Sequence, residues 1–107
     1  MNIKFVKEYL KNIKWYEDKT YQVEGLLEYS NQYYKFDIRF LNDFSDKKGK
    51  LISYNSEADK VLFEDNKNWI LIDTQELLKY RKQQNLKEVK LEELIKNIDW
   101  NIILPKK

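Results

Sequence analysis

Residues 21–42 read YQVEGLLEYSNQYYKFDIRFLN, and the alternation of apolar and polar side chains in this stretch decides the fold class. The pattern predicts two antiparallel strands, at about 20–29 and 33–41, joined by a turn at Asn31-Gln32. In that register one face carries apolar pairs: Tyr29 with Tyr34, Leu27 with Phe36, Gly25 with Ile38 and Val23 with Phe40. A slip of one residue would exchange the two faces, so the alternation constrains the pairing.

The opposite face of the same hairpin is polar. The predicted register sets Glu28 opposite Lys35 and Glu24 opposite Arg39, with Asp37 beside Leu26. The simplest interpretation is a set of exposed cross-strand ion pairs, each contributing a few tenths of a kcal/mol, about 0.3.

Length and composition limit what the chain can be. Its 107 residues allow one domain, and 15% aromatic residues with only two Gly and one Pro argue for a packed core rather than a disordered chain. The chain has no His and no Cys, which removes the commonest general base, the usual zinc ligands and every thiolate mechanism. No apolar run approaches the roughly 20 residues that span a bilayer, and no signal-peptide pattern is present, so we expect a cytoplasmic protein without a membrane role.

Apolar periodicity outside the hairpin predicts the remaining elements. Further strands are expected at about 50–54, 58–63, 69–73 and 100–104, and helices at about 2–13, 74–84 and 90–98. The run Trp69-Ile70-Leu71-Ile72 is apolar without alternation, which is typical of a strand covered on both faces. Asp73 is placed to cap the helix that follows, with Glu76 as its capping-box partner. The sequence thus predicts a single α+β domain over residues 1–107, in which a four- to six-stranded, largely antiparallel sheet is packed by three helices.

Charge is distributed unevenly along the chain. The net charge of +2 divides into +3 for residues 1–14, −5 for residues 15–78 and +4 for residues 79–107. In the predicted first helix an apolar seam is formed by Ile3, Val6, Leu10 and Ile13. Each of these residues is followed directly by a lysine, and the four lysines are Lys4, Lys7, Lys11 and Lys14. The lysines either flank the buried seam with their ammonium groups in water or form a row that follows a phosphate backbone.

Two carboxylates and a cation on the hairpin's polar face, Glu24, Asp37 and Arg39, could hold Mg²⁺ and stabilise charge on a phosphate. Over about residues 3–84 this arrangement resembles the restriction-endonuclease-like PD-(D/E)xK nuclease family, including its small phage-encoded members. The resemblance implies Glu24 in place of the first Asp and Asp37-Ile38-Arg39 in place of the acid-x-Lys motif. It implies Glu24 and Asp37 as metal ligands, Arg39 as the catalytic charge stabiliser and Glu8 as the acidic helix residue.

The sequence departs from that family at the motif itself. Arg39 replaces a lysine, and a guanidinium stays protonated where an amine can exchange a proton. A working nuclease and an impaired nuclease-like scaffold both remain open.

The tyrosines offer a second kind of site. Tyr9, Tyr16, Tyr33, Tyr54 and Tyr80 could stack on bases beside the basic segments, and exposed Tyr and Trp are equally the residues that dominate protein interfaces. Tyr33 and Tyr80, with the four lysines, are the expected residues for binding nucleic acid or a partner protein.

In size and composition the chain resembles small phage inhibitors of host defence such as anti-CRISPR proteins. The leading hypothesis is therefore a non-catalytic, phage- or mobile-element-encoded binding module that needs no cofactor and engages a protein component of a nucleic-acid machine. A Mg²⁺-dependent nuclease and a plain DNA- or RNA-binding protein are the alternatives.

Overall fold

A computed structural model describes residues 2–38, 55–84 and 91–107. In these ranges the chain forms three helices and six strands. The helices are α1 (Ile3–Tyr9), α2 (Thr74–Gln84) and α3 (Leu91–Asn97). The strands are β1 (Leu10–Trp15), β2 (Val23–Leu27), β3 (Gln32–Asp37), β4 (Lys60–Glu64), β5 (Asn68–Asp73) and β6 (Asn101–Pro105).

The six strands form one sheet in which the spatial order follows the chain from β1 to β6. All neighbours pair antiparallel except β3 and β4, which run parallel. The predicted α+β class, with a largely antiparallel sheet and three helices, is confirmed. The strand expected at about 50–54 lies outside the described residues.

Each face of the sheet has its own core. On one face α1 inserts Phe5 against the rings of Phe36 and Trp69, with centroid distances of 5.8 and 5.9 Å. On the other face α2 and α3 bury Leu77 and Leu94. A membrane-spanning helix is not found in the described ranges.

Strand β5 serves both cores, as its unbroken apolar run predicts. Trp69 and Leu71 join the core under α1, while Ile70 and Ile72 join the core under α2 and α3. Because β5 lies between β4 and β6, both its edges are also paired.

The β2–β3 hairpin forms, but its register differs by four residues from the predicted one. Val23 lies opposite Phe36, and Leu27 opposite Gln32. The turn spans residues 28–31, and it ends at Asn31 in the left-handed region with φ of 56°. An even offset leaves every side chain on its predicted face, so alternation could not distinguish the two registers.

The predicted helix at 2–13 is wrong beyond Tyr9. The chain leaves α1 at Leu10 and continues as β1, which pairs with β2. The buried face of α1 is Phe5, Val6 and Tyr9, so Ile3 points outward with half its surface exposed. The pairing of residues 10–15 with the edge of β2 outweighs the helical periodicity of this segment. The periodicity within residues 2–13 could not show this pairing, because the partner strand lies further along the chain.

The start of α2 follows the prediction in part. An oxygen of the Asp73 carboxylate accepts the N–H of Glu76 at 3.0 Å, as expected of a helix cap. Glu76 does not complete a capping box. Its carboxylate instead accepts the N–H of Trp100 at 3.2 Å, and thereby ties α2 to the start of β6.

A buried ion pair holds the same corner together. Lys60, only 6% exposed, places its Nζ 2.7 Å from Asp73 Oδ1. The same ammonium lies 3.6 Å from the centre of the Trp100 ring and 4.9 Å from that of Tyr34. The charge of Lys60 is therefore balanced by a carboxylate and two aromatic faces.

Candidate functional site

Strand β1 is the most exposed element of the sheet. It is an edge strand in the described sheet, and of its six residues only Leu10 is buried. Exposed large side chains gather on it and beside it: Ile13 is 41% exposed, Trp15 43% and Tyr33 57%. We call the side chains of Lys11, Ile13, Lys14, Trp15 and Tyr33 the β1 surface, which includes both faces of this edge. Ile13 and Trp15 lie on the α1 face, since Trp15 is opposite Val23 of the core under α1. Lys11, Lys14 and Tyr33 lie on the opposite face.

A β-bulge shapes this surface. The pairing of β1 with β2 shifts between Lys11 and Lys14, and Asn12 takes the left-handed region with φ of 53°. Residues three apart in a regular strand point to opposite faces, whereas the bulge brings both lysines to one face. The two ammonium groups therefore project together, on the side of the sheet away from α1.

Gly25 on β2 allows β1 to lie this close. A Cβ at Gly25 would lie 3.0 Å from Cγ2 of Ile13 and 3.2 Å from the carbonyl oxygen of Lys11. Since both distances are shorter than ordinary contacts, a larger residue would push β1 outward. The sequence signal for the bulge is this glycine inside a strand.

Tyr33 extends across β2 to reach the bulge. It lies opposite Leu26 on β2, and its hydroxyl accepts a hydrogen bond of 3.1 Å from the Asn12 side-chain amide. The exposed ring thus covers Leu26 and joins β3 to β1. This contact fixes the position of an aromatic side chain that remains more than half exposed.

Acidic side chains offset the lysines of the surface. Lys11 Nζ lies 3.6 Å from a carboxylate oxygen of Glu28. In the strand register Glu24 lies opposite Lys14 on β1 and opposite Lys35 on β3, and its carboxylate accepts a hydrogen bond of 3.4 Å from the Tyr16 hydroxyl. The charge here is mixed, unlike the uniformly basic groove that follows a nucleic-acid backbone.

The predicted metal ligands Glu24 and Asp37 lie on one face of the hairpin. Their strand neighbours Val23 and Phe36 point into the core under α1, so both carboxylates point the other way. Glu24 is half-buried, whereas Asp37 is only 1% exposed. Arg39, the predicted charge stabiliser, lies outside the described residues. Within the described ranges, no three His, Cys, Asp or Glu side chains are grouped as a metal site would need.

Glu8, the acidic helix residue implied by the nuclease resemblance, lies on the α1 side of the sheet. Its carboxylate accepts hydrogen bonds from Trp69 Nε1 at 3.0 Å and from the Lys107 N–H at 2.8 Å. These two bonds stabilise the charged form, so they hold the pKa of Glu8 below its ordinary value. The structure does not bring Glu8 to Glu24 and Asp37.

The predicted lysine row is divided between two elements. Lys4 and Lys7 are exposed on α1, while Lys11 and Lys14 belong to the strand that follows. The four ammonium groups do not form one helical stripe, because the helix ends between the two pairs.

The tyrosines are likewise separated. Tyr80 is half-buried on α2, where it lines a groove of about 210 Å³ between α2 and α3. Tyr9 is buried, its hydroxyl donates to the carbonyl of Pro105, and this burial raises its pKa. Tyr54 lies outside the described residues. Among the singled-out tyrosines within the described ranges, Tyr33 is the one that belongs to the β1 surface.

Sequence reasoning missed Ile13 and Trp15 as surface residues. Helical periodicity assigned Ile13 to a buried seam, and Trp15 follows the predicted helix at 2–13 without a predicted role. The available signal was Gly25, which marks a close approach of a neighbouring strand.

No known protein family, no curated protein and no solved structure matches this chain. The functional interpretation therefore depends on the chemistry of the β1 surface itself.

Proposed function

We propose that this chain is a non-catalytic binding module that engages a protein component of a nucleic-acid machine through the β1 surface. The observation that carries the proposal is the gathering of exposed apolar and basic side chains on both faces of one sheet edge. Ile13 and Trp15 lie on the α1 face, and Tyr33 lies with Lys11 and Lys14 on the opposite face. Trp and Tyr are the residues that most often dominate protein interfaces, and they do so when a rim of polar groups surrounds them.

The fixed position of the aromatic residues supports the same proposal. Tyr33 is held by its bond to Asn12, and the bulged strand that carries Trp15 is seated on Gly25. Side chains that are already ordered lose little conformational freedom on binding, which raises the affinity that a small surface can reach.

The mixed charge of the surface favours a protein partner over a bare nucleic acid. Glu24 and Glu28 lie among the lysines, and each would repel a phosphate backbone. A protein that itself carries both charges can match such a pattern, and electrostatic complementarity then gives specificity.

Within nucleic-acid machines, we propose the RNA-guided defence effectors as the partner class, in the manner of a small phage-encoded inhibitor. The direct test mixes this protein with purified effector complexes of several types and follows both co-elution and target cleavage. We expect one effector type to co-elute with the protein and to lose cleavage activity.

Matched variants locate the surface in that assay. Trp15→Ala and Tyr33→Ala should weaken both co-elution and inhibition, while Ile3→Ala should have no effect, since Ile3 is comparably exposed but lies on α1. Inhibition that survives both β1 variants would overturn the assignment of this surface. Binding to naked DNA or RNA, with no binding to any effector, would overturn the proposed function.

A further inference from the structure

In the sheet that the described residues form, the two edge strands β1 and β6 differ in how they are protected against pairing with another strand. The β1 edge carries a bulge and two lysines, both of which discourage strand addition. The β6 edge reads Asn101-Ile102-Ile103-Leu104-Pro105, without a charged side chain. It pairs with β5 at five consecutive positions with no irregularity.

The outer side of β6 presents backbone groups in a regular pattern. The carbonyl of Trp100 accepts the Asp73 N–H, and the Lys106 N–H donates to the Lys67 carbonyl. In an antiparallel ladder alternate residues bond to the same neighbour, so positions 102 and 104 also face β5. The N–H and C=O groups of Asn101 and Ile103 therefore face away from the sheet.

Apolar side chains accompany these groups on both faces of β6. Ile103 is 48% exposed on the face of α2 and α3, beside its strand partner Ile70. Ile102 lies on the opposite face, half-buried against the core under α1. An uncharged edge strand with an exposed isoleucine is the kind of edge that soluble proteins rarely leave open.

We infer that β6 pairs antiparallel with β6 of a second copy of this chain, about a two-fold axis at Ile102. This register sets Ile102 opposite its own copy, and Asn101 opposite Ile103 of the second copy. All four outward groups of Asn101 and Ile103 then find partners, giving four hydrogen bonds across the axis. The Pro105 carbonyl, which already accepts the Tyr9 hydroxyl, lies outside the paired stretch.

A second copy fits this edge because the paired stretch of β6 contains no charged side chain, so two copies of the strand do not repel each other. A partner strand bearing Asp, Glu or Lys would place a charge beside Ile102 or Ile103 with no opposite charge in the strand to meet it. Pairing of two β1 edges fails by the same reasoning, because Lys11 and Lys14 would face each other. The surface is also separate from the β1 surface, so a dimer leaves the proposed partner site open at both ends of the joined sheet.

The test measures the oligomeric state by sedimentation over a wide concentration range, with matched substitutions at the two edges. We expect the wild type to form a dimer, Ile103→Lys to weaken dimerisation at least tenfold, and Ile13→Lys at the β1 edge to leave it unchanged. Ile103→Pro should act like Ile103→Lys, because it removes an N–H that does not bond to β5. Circular dichroism checks that each variant is folded.

A single cysteine tests the register, since the chain has none of its own. Opposed residues at a non-hydrogen-bonded position have Cα atoms about 4.5 Å apart, within the range for a disulfide. Ile102→Cys should therefore form a disulfide-linked dimer on mild oxidation, and Ile13→Cys should not. A wild type that stays monomeric at every concentration, or a dimer that Ile103→Lys leaves intact, would overturn the inference.

Discussion

Replacing Lys60 by methionine tests the corner where α2, β4 and β6 meet. The substitution keeps most of the side-chain volume and removes the charge. It deletes a charge-assisted hydrogen bond of 2.7 Å to Asp73, worth about 2 kcal/mol, and a contact of the ammonium with the Trp100 ring, worth about 1–2 kcal/mol. The Asp73 carboxylate keeps its bond to Glu76 and some contact with water, which limits the loss.

We therefore expect Lys60→Met to lower the free energy of unfolding by about 3 kcal/mol, with a fall in Tm of roughly 10–20 °C for a domain of this size. Urea titration followed by tryptophan fluorescence measures the change. Lys79→Met is the matched control, because Lys79 is exposed on α2, and it should change stability by less than about 0.5 kcal/mol. A Lys60→Met protein as stable as the wild type would refute the reasoning.

Three further predictions concern other parts of the molecule. Because the pKa of Glu8 is lowered in the folded state, its charge stabilises the fold above about pH 4.3 and this contribution is lost as the pH falls through the lowered pKa. Glu8→Gln should thus cost up to about 1 kcal/mol at pH 7, and urea titrations at pH 7 and pH 3 should show the difference from wild type shrinking in acid. Asn12→Ala should be less stable than Asn12→Gly by about 1 kcal/mol, since both lose the bond to Tyr33 and only alanine resists a φ of 53°; equal stabilities would contradict the bulge geometry. Plasmid DNA incubated with the protein and Mg²⁺ or Mn²⁺ should stay intact, and cleavage that disappears in Glu24→Gln would instead establish the metal-dependent nuclease.

The parts of the fold that local chemistry determines could be predicted from the sequence. The strands predicted at 58–63 and 69–73, the start of α2 at Asp73 and the two-sided burial of Trp69–Ile72 follow from neighbouring residues, and all three are confirmed as β4, β5 and the start of α2. Alternation also gave the correct faces of the β2–β3 hairpin, which is why Glu24 and Asp37 do share one side.

Two features could not be predicted, for different physical reasons. The hairpin register depends on whether Asn31 begins a two-residue turn or ends a four-residue one, and both choices satisfy the same alternation. Strand β1 depends on the open edge of β2, a tertiary contact that leaves no local trace except Gly25.

In the candidate site, too, some features can be predicted from local residues and others depend on tertiary contacts. Tyr33 and the lysines of the β1 surface follow from their residue types, whereas the exposure of Trp15 follows only from the strand that replaces the predicted helix. The bulge that brings Lys11 and Lys14 to one face is marked in the sequence by Gly25 alone, and not by hydrophobic periodicity.

The most direct test of the β1 surface is the affinity for the effector that the wild type inhibits, measured by calorimetry for wild type, Trp15→Ala and Ile3→Ala. An aromatic anchor of an interface contributes about 2 kcal/mol or more, so Trp15→Ala should weaken binding by about 30-fold or more, with Ile3→Ala unchanged. Equal affinities for wild type and Trp15→Ala, or a wild type that binds none of the effectors, would contradict the proposal.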